Sequence, residues 1–162
     1  MKEFFHQTGT NSLRPIMIKN NRQIYWTLYD DFCTDSLLHN EKNILYFLTR
    51  EDLDQFCEKN SFETDKDIGK YDFDAPLQNP IHYGHILEHW NLLNTIAKDL
   101  RMYFEGDCKK YNTLYDLLFR LNLPMEPIPP TYTVSEKHYK YILKVFRKKD
   151  RFFNRFQLYQ EK

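Results

Sequence analysis

The residues with the most chemical potential are His85, Glu88 and His89, which spell HxxEH, with His82 one turn earlier. On a helix, His85 and His89 stand at i and i+4. Both imidazoles could then reach one metal ion, with Glu88 as the general base on metal-bound water. Hydrolysis of that kind needs a third ligand, and no convincing downstream helix supplies one; Glu161 lies at the terminal end, where pre-organisation is poor. The preferred reading of His82, His85 and His89 is ordinary half-buried histidines beside an apolar helix face, with no metal bound. Asp72 and Asp74 alternate in YDFD, so in an extended segment they share a face and could hold a cation or work as acid and base. Solvated loop carboxylates are the simpler reading of that pair.

Nucleophilic chemistry is less supported still. Cys33, Cys57 and Cys108 are far apart and form no CxxC, which argues against a disulfide framework and a thiolate zinc site and for reduced, buried thiols. No GxSxG elbow occurs. The 4 glycines, at positions 9, 69, 84 and 106, are too scattered for any phosphate-binding loop. Residues 147–156 (RKKDRFFNRF) interleave aromatic and basic side chains, as binders of single-stranded nucleic acid do. Phe152, Phe153 and Phe156 at i, i+1 and i+4 fit better as a helix end docking on the core. No catalytic residue and no cofactor is assigned.

The elements that must position these residues follow from hydrophobic period and punctuation. Ile16 and Ile18, then Ile24, Trp26 and Leu28, alternate with their neighbours across an Asn20-Asn21 turn, which predicts a hairpin. NILYFL at 43–48 reads as a third, more buried strand. Thr49 caps a short helix over 49–60, with Asp52 as a capping-box-like partner and Leu53, Phe56 and Cys57 as its apolar face. Residues 61–74 read as an exposed acidic loop with an extended YDFD piece. The strongest helix is expected over 80–104, with Asn79 as cap, Pro80 in its first turn and Gly106 beyond its end. Its core stripe is Ile86, Trp90, Leu93, Ala97, Leu100 and Phe104. A further helix is expected over 113–121. Prolines at 124, 127, 129 and 130 make 124–132 an extended connector. The last helix, 134–157, opens on a Thr133 and Glu136 capping box, with a break near Asp150. Strands first and helices after them make the expected class α+β: a small N-terminal antiparallel sheet of about three strands over 15–48, packed against a predominantly helical C-terminal part.

With 162 residues the chain is expected to form one domain. It has no apolar stretch long enough to span a bilayer, and residues 1–15 lack the apolar run of a signal peptide, so a cytoplasmic location and no membrane contact are expected. The formal net charge of +0 hides a strong asymmetry. Residues 30–74 hold thirteen acids against five bases, while residues 135–162 hold nine bases against three acids. The two regions face one another or are simply solvated, or else they present a charged surface to a partner.

From Trp90 onward a series of residues becomes familiar as a set: Trp90-Asn91 in an apolar helix, Phe104 and Gly106 closing it, Tyr115-Asp116 with Leu118-Phe119, and Asn122-Leu123-Pro124 before a proline-rich stretch. Over residues 71–132 this resembles bacterial immunity proteins, the small cytoplasmic antidotes encoded beside polymorphic or contact-dependent growth-inhibition toxins. The resemblance implies a non-enzymatic protein that binds one cognate toxin domain and blocks its active site or substrate entry. Its motif positions are mostly apolar or cap-like, so it transfers a fold and no catalytic residue; residues 147–156 have no counterpart in it. If the toxin is a nuclease, its basic active site would be met by Glu63, Asp65, Asp67, Asp72 and Asp74, the expected partner-binding residues. The alternatives are a nucleic-acid-binding module using Lys148, Lys149, Arg151 and Arg155, and a histidine-metal hydrolase using the HxxEH residues.

Overall fold

A computed structural model describes residues 13–31, 34–123 and 130–161. Cys33 and Pro124, Pro127 and Pro129 of the connector lie outside the described residues. The expected hairpin is present: β1 (Arg14–Asn20) pairs antiparallel with β2 (Gln23–Asp30). Asn21 and Arg22 take the turn at φ of 50° and 68°. Asp74 secures it from a distance, its carboxylate accepting the N–H groups of Asn21 and Arg22 at 2.6 and 2.8 Å.

The rest of the sheet differs from expectation. The third antiparallel strand is the two-residue β3 (Ser36–Leu37) rather than NILYFL, and a fourth, β5 (Gly69–Asp72), joins β1 in parallel to give the order β3-β2-β1-β5. The acidic segment is therefore part of the sheet. Gly69 makes that pairing fit, because a Cβ there would sit 2.9 Å from Cγ2 of Ile16. β4 (Ile44–Tyr46) meets β2 through the Thr27 hydroxyl, which donates to the Leu45 carbonyl at 2.8 Å, and through a Trp26–Phe47 bridge just beyond its end, but its ladder is with β8 (Phe156–Leu158), in parallel. The expected helix over 134–157 is accordingly three elements: α4 (Glu136–Arg147), the single turn α5 (Asp150–Phe153) and β8. Its cap is Ser135, which accepts the His138 N–H at 3.1 Å, and not Thr133. With Glu136 as the first helical residue and His138 at the third, this is a simple serine cap and not the expected capping box; just upstream, Thr131–Tyr132 forms β7, paired with β6 (Ile81–His82).

That same ladder corrects the start of the central helix. Asn79 caps no helix; its amide accepts from and donates to the Val134 backbone. The Asn79–Pro80 bond is cis, and α2 spans Tyr83–Leu100 with His82 as its cap. It ends at Leu100 because Arg101 enters the left-handed region at φ 54°, and the Met102 N–H closes back on the Ala97 carbonyl at 2.8 Å. Phe104 lies beyond the helix yet stays buried with Ile86, Trp90, Leu93, Ala97 and Leu100, so the core stripe holds. Gly106 is required for close packing, not as a cap: a Cβ would meet the Phe104 ring at 2.6 Å and Trp90 at 2.8 Å.

α1 (Arg50–Lys59) is capped by Thr49, as expected, and buries Leu53, Phe56 and Cys57. It joins Leu13, Leu28, Leu45 and Phe47 in a smaller core. The larger core is built on α2, with Ile16, Ile18, Leu114, Leu118, Ile142 and Phe152 among its members; Leu114 and Leu118 come from α3 (Asn112–Leu121). The fold is α+β: one mixed sheet with two small ladders beside it, and helices that bury an apolar core on each side of β1 and β2.

Candidate functional site

β5 and the first half of α2 form the two walls of a cleft of about 570 Å³, whose lining includes Lys19, Lys70, Asp72, His82, His85, Glu88 and His89. All of the HxxEH residues are thus brought to one place. Their geometry, however, suits stacking and not chelation. The His85 and His89 rings lie 3.7 Å apart at 24°, so neither can turn a ring nitrogen toward an ion held by the other. His89 donates Nδ1–H to the His85 carbonyl at 2.7 Å, and His82 uses Nδ1 to accept the His85 N–H at 3.1 Å. Each bond fixes a tautomer and a ring orientation. Among the described residues, no group of three His, Cys, Asp or Glu side chains is placed to hold a metal ion. Glu161, the remote third ligand weighed from sequence, is paired with Lys59.

Burial sets the electrostatics. His89 is 2% exposed, and its Nε2 makes no hydrogen bond of good geometry although the Asp72 main chain approaches the ring. Burial, aided by the neighbouring His85, pushes its pKa down to about 4, so the ring is neutral at pH 7. His85 is lowered too, by burial first and then by His82. Glu88 is exposed and borders a second cleft of about 380 Å³, which also takes in Arg14, Asp31, Lys70, Tyr71 and Asn91. Lys70, Tyr71 and Glu88 belong to both clefts, which together follow the length of β5.

The expected acidic residues lie along this strand and its approach. Glu63 and Asp67 are exposed and Asp65 is half-buried. Asp72 and Asp74 are exposed but occupied: Asp72 accepts the Asp74 N–H at 2.9 Å, while Asp74 holds the β1–β2 turn. Those turn amides hold the Asp74 carboxyl below its ordinary pKa. A carboxylate already filled by two N–H donors is poorly placed to collect a cation.

The basic C-terminal segment is docked on the core. Phe152 and Phe153 are buried. Arg151 donates to the Tyr103 carbonyl at 2.7 Å and Arg155 to the Lys42 carbonyl at 3.3 Å. Lys149 reaches Asn20 and the Phe73 carbonyl at 2.6 and 3.0 Å. Three of the four bases that would grip phosphates therefore tie the chain to itself.

Sequence reasoning missed one polar centre altogether. The Glu105 side chain, 6% exposed, accepts from Tyr111 at 2.7 Å and Tyr103 at 3.1 Å, with Lys144 at 3.4 Å. These partners, Tyr111 first, bring its pKa down to about 2. Nothing in the spacing of a lone glutamate before a glycine marks it, because its partners come from the distant α4 as well as from nearby turns.

No protein-family model matches this chain, and no curated protein matches it. Among solved structures it is similar to the crystal structure of the SatS C-terminal domain in complex with bromine, with a TM-score of 0.53 and 14% identity. The alignment covers 91% of this chain and 94% of that one. At that identity the likeness is one of fold alone. Among the described residues no helix is long and apolar enough to cross a membrane.

Proposed function

We propose that this chain is a cytoplasmic immunity protein that binds one cognate toxin domain, of a nuclease type, and neutralises it by covering its active site. The observation that carries the reading is the placement of the acidic segment, residues 63–74, on the surface along β5 and its approach. Asp65 and Asp67 carry most of the available charge, since Asp72 and Asp74 are engaged within the chain. The resemblance over residues 71–132 to immunity proteins supplies the kind of partner. A carboxylate-rich surface suits a basic, phosphate-binding active site, where it speeds association and occupies the place of substrate. The reading assigns no catalytic role to any residue and no cofactor.

The test is co-expression with the toxic C-terminal domain encoded immediately upstream of this chain's gene. Survival and co-purification are the expected result. Charge reversal by Asp65→Lys with Asp67→Lys should weaken protection without unfolding the chain, because neither side chain is buried in the core. Undiminished protection by that variant would remove the acidic surface from the interface; death of cells carrying the native chain would refute the antidote itself.

A further inference from the structure

β5 ends the sheet: in the order β3-β2-β1-β5 it has a partner on one side only. The register shows which peptide groups are left over. Phe73 donates its N–H to the Lys19 carbonyl at 2.8 Å, with Lys19 opposite Asp72 and Ile18 opposite Tyr71. In a parallel ladder alternate residues bond to the same neighbour, so Gly69, Tyr71 and Phe73 face β1 while Lys70 and Asp72 turn their main-chain groups away from it, the Asp72 carbonyl toward the His89 ring. The two clefts lie along that side, bounded across from β5 by His85, Glu88 and Asn91 of α2. Open edges of this kind are commonly blunted by a covering element or a bulge, because they template another strand.

Resting on the antidote reading above, we propose that β5 is the docking strand of the complex: an extended, basic segment of the toxin adds to the sheet beside Gly69–Asp72 and lies in the groove against α2. Charge chooses the occupant. Inside the groove Asp31, Asp72 and Glu88 are balanced by Arg14, Lys19 and Lys70, and Arg14 is already held by Asp31 at 3.3 Å. The surplus lies on the flanks, where Glu63, Asp65, Asp67 and Asp74 stand against Lys66. The incoming segment therefore has its basic residues toward its ends and needs no particular charge at its centre. Main-chain pairing supplies affinity, and the flanking charges supply choice of partner.

The decisive variant is Lys70→Pro. Its ring removes only an outward-facing N–H, leaving the bonds to β1 in place, which is where an edge strand tolerates proline. Lys70→Ala removes the side chain and keeps the amide. Binding to the upstream-encoded toxin domain should fall at least about tenfold for Lys70→Pro and stay within about threefold of the native chain for Lys70→Ala, the difference expected from losing a main-chain hydrogen bond at a closed interface. Far-UV circular dichroism of both variants should match the native chain. Hydrogen exchange on native protein should show the Lys70 and Asp72 amides slowed in the complex, a readout independent of either variant. Equal binding by Lys70→Pro, or unslowed exchange, overturns the docking strand while leaving the antidote standing. Failure of the native chain to bind overturns the antidote and this partner together. A dimer of the chain alone that Lys70→Pro dissolves would assign the edge to a second copy, and overturn the proposal too.

Discussion

His89 is a base held in its neutral form by where it sits. Its ring is packed edge-on against Tyr71 and Phe73 and stacked on His85, with Asp72 the nearby charge from β5. The folded chain resists protonating it until about pH 4, whereas the unfolded chain accepts a proton from about pH 6.5 downward. The unfolded state thus binds more protons in that window, and stability is lost as pH falls from 6.5 toward 4, by about 3 kcal/mol at most. Comparing denaturant midpoints at pH 7 and 4.5 should show this loss in the native chain and a smaller one in His89→Leu. Glu105 works in the same sense and lower on the scale: its depressed carboxyl gives stability that is fully present above about pH 4.5 and is lost as pH falls toward 2. The histidine spacing was visible in the sequence as HxxEH. Ring orientation was not, because the stack is set by one carbonyl and two aromatic side chains from β5 and the residue after it.

Helix periodicity was the most readable feature of the chain. The stripe from Ile86 to Phe104 is buried throughout, because a 3.6-residue repeat reports which side faces a core whatever that core is made of. Ends were less readable. Asn79 and Pro80 carry the composition of a helix start, yet pairing of Ile81–His82 with Thr131–Tyr132 claims the segment first. β5 was legible only in part: the extended YDFD piece overlaps it at Tyr71 and Asp72, but GKYD has one apolar residue, and its strand character comes from lying beside Ile16 and Ile18, not from its own pattern. The C-terminus of α2 yields a direct test. Arg101 adopts a left-handed conformation that glycine accepts without a Cβ clash. Arg101→Gly should raise thermal stability by roughly 0.5–1 kcal/mol, with no change in helix content.

Across the whole molecule the two charged regions behave differently although their sequences look equally charged. Three bases of the C-terminal segment, Lys149, Arg151 and Arg155, are tied back to the chain, whereas Glu63, Asp67, Asp72 and Asp74 stay exposed along β5 and its approach. The protein accordingly presents a more negative exterior on the β5 side than its net charge suggests. On the antidote reading proposed above, association with the toxin domain should slow by about tenfold as salt rises from low to physiological ionic strength, while dissociation changes little. Stopped-flow mixing at several salt concentrations measures this directly, and Asp65→Lys with Asp67→Lys should flatten the dependence.

The parallel ladder between β4 and β8 joins residues 44–46 to residues 156–158. During translation, β4, Phe47 and Phe56 of α1 have emerged long before their last partners exist. Tyr159 completes the Phe47 and Phe56 cluster only when nearly the whole described chain is out. Folding of that half therefore waits on residues 156–159, more than a hundred positions after β4, so its closure is a long-range and late step in synthesis.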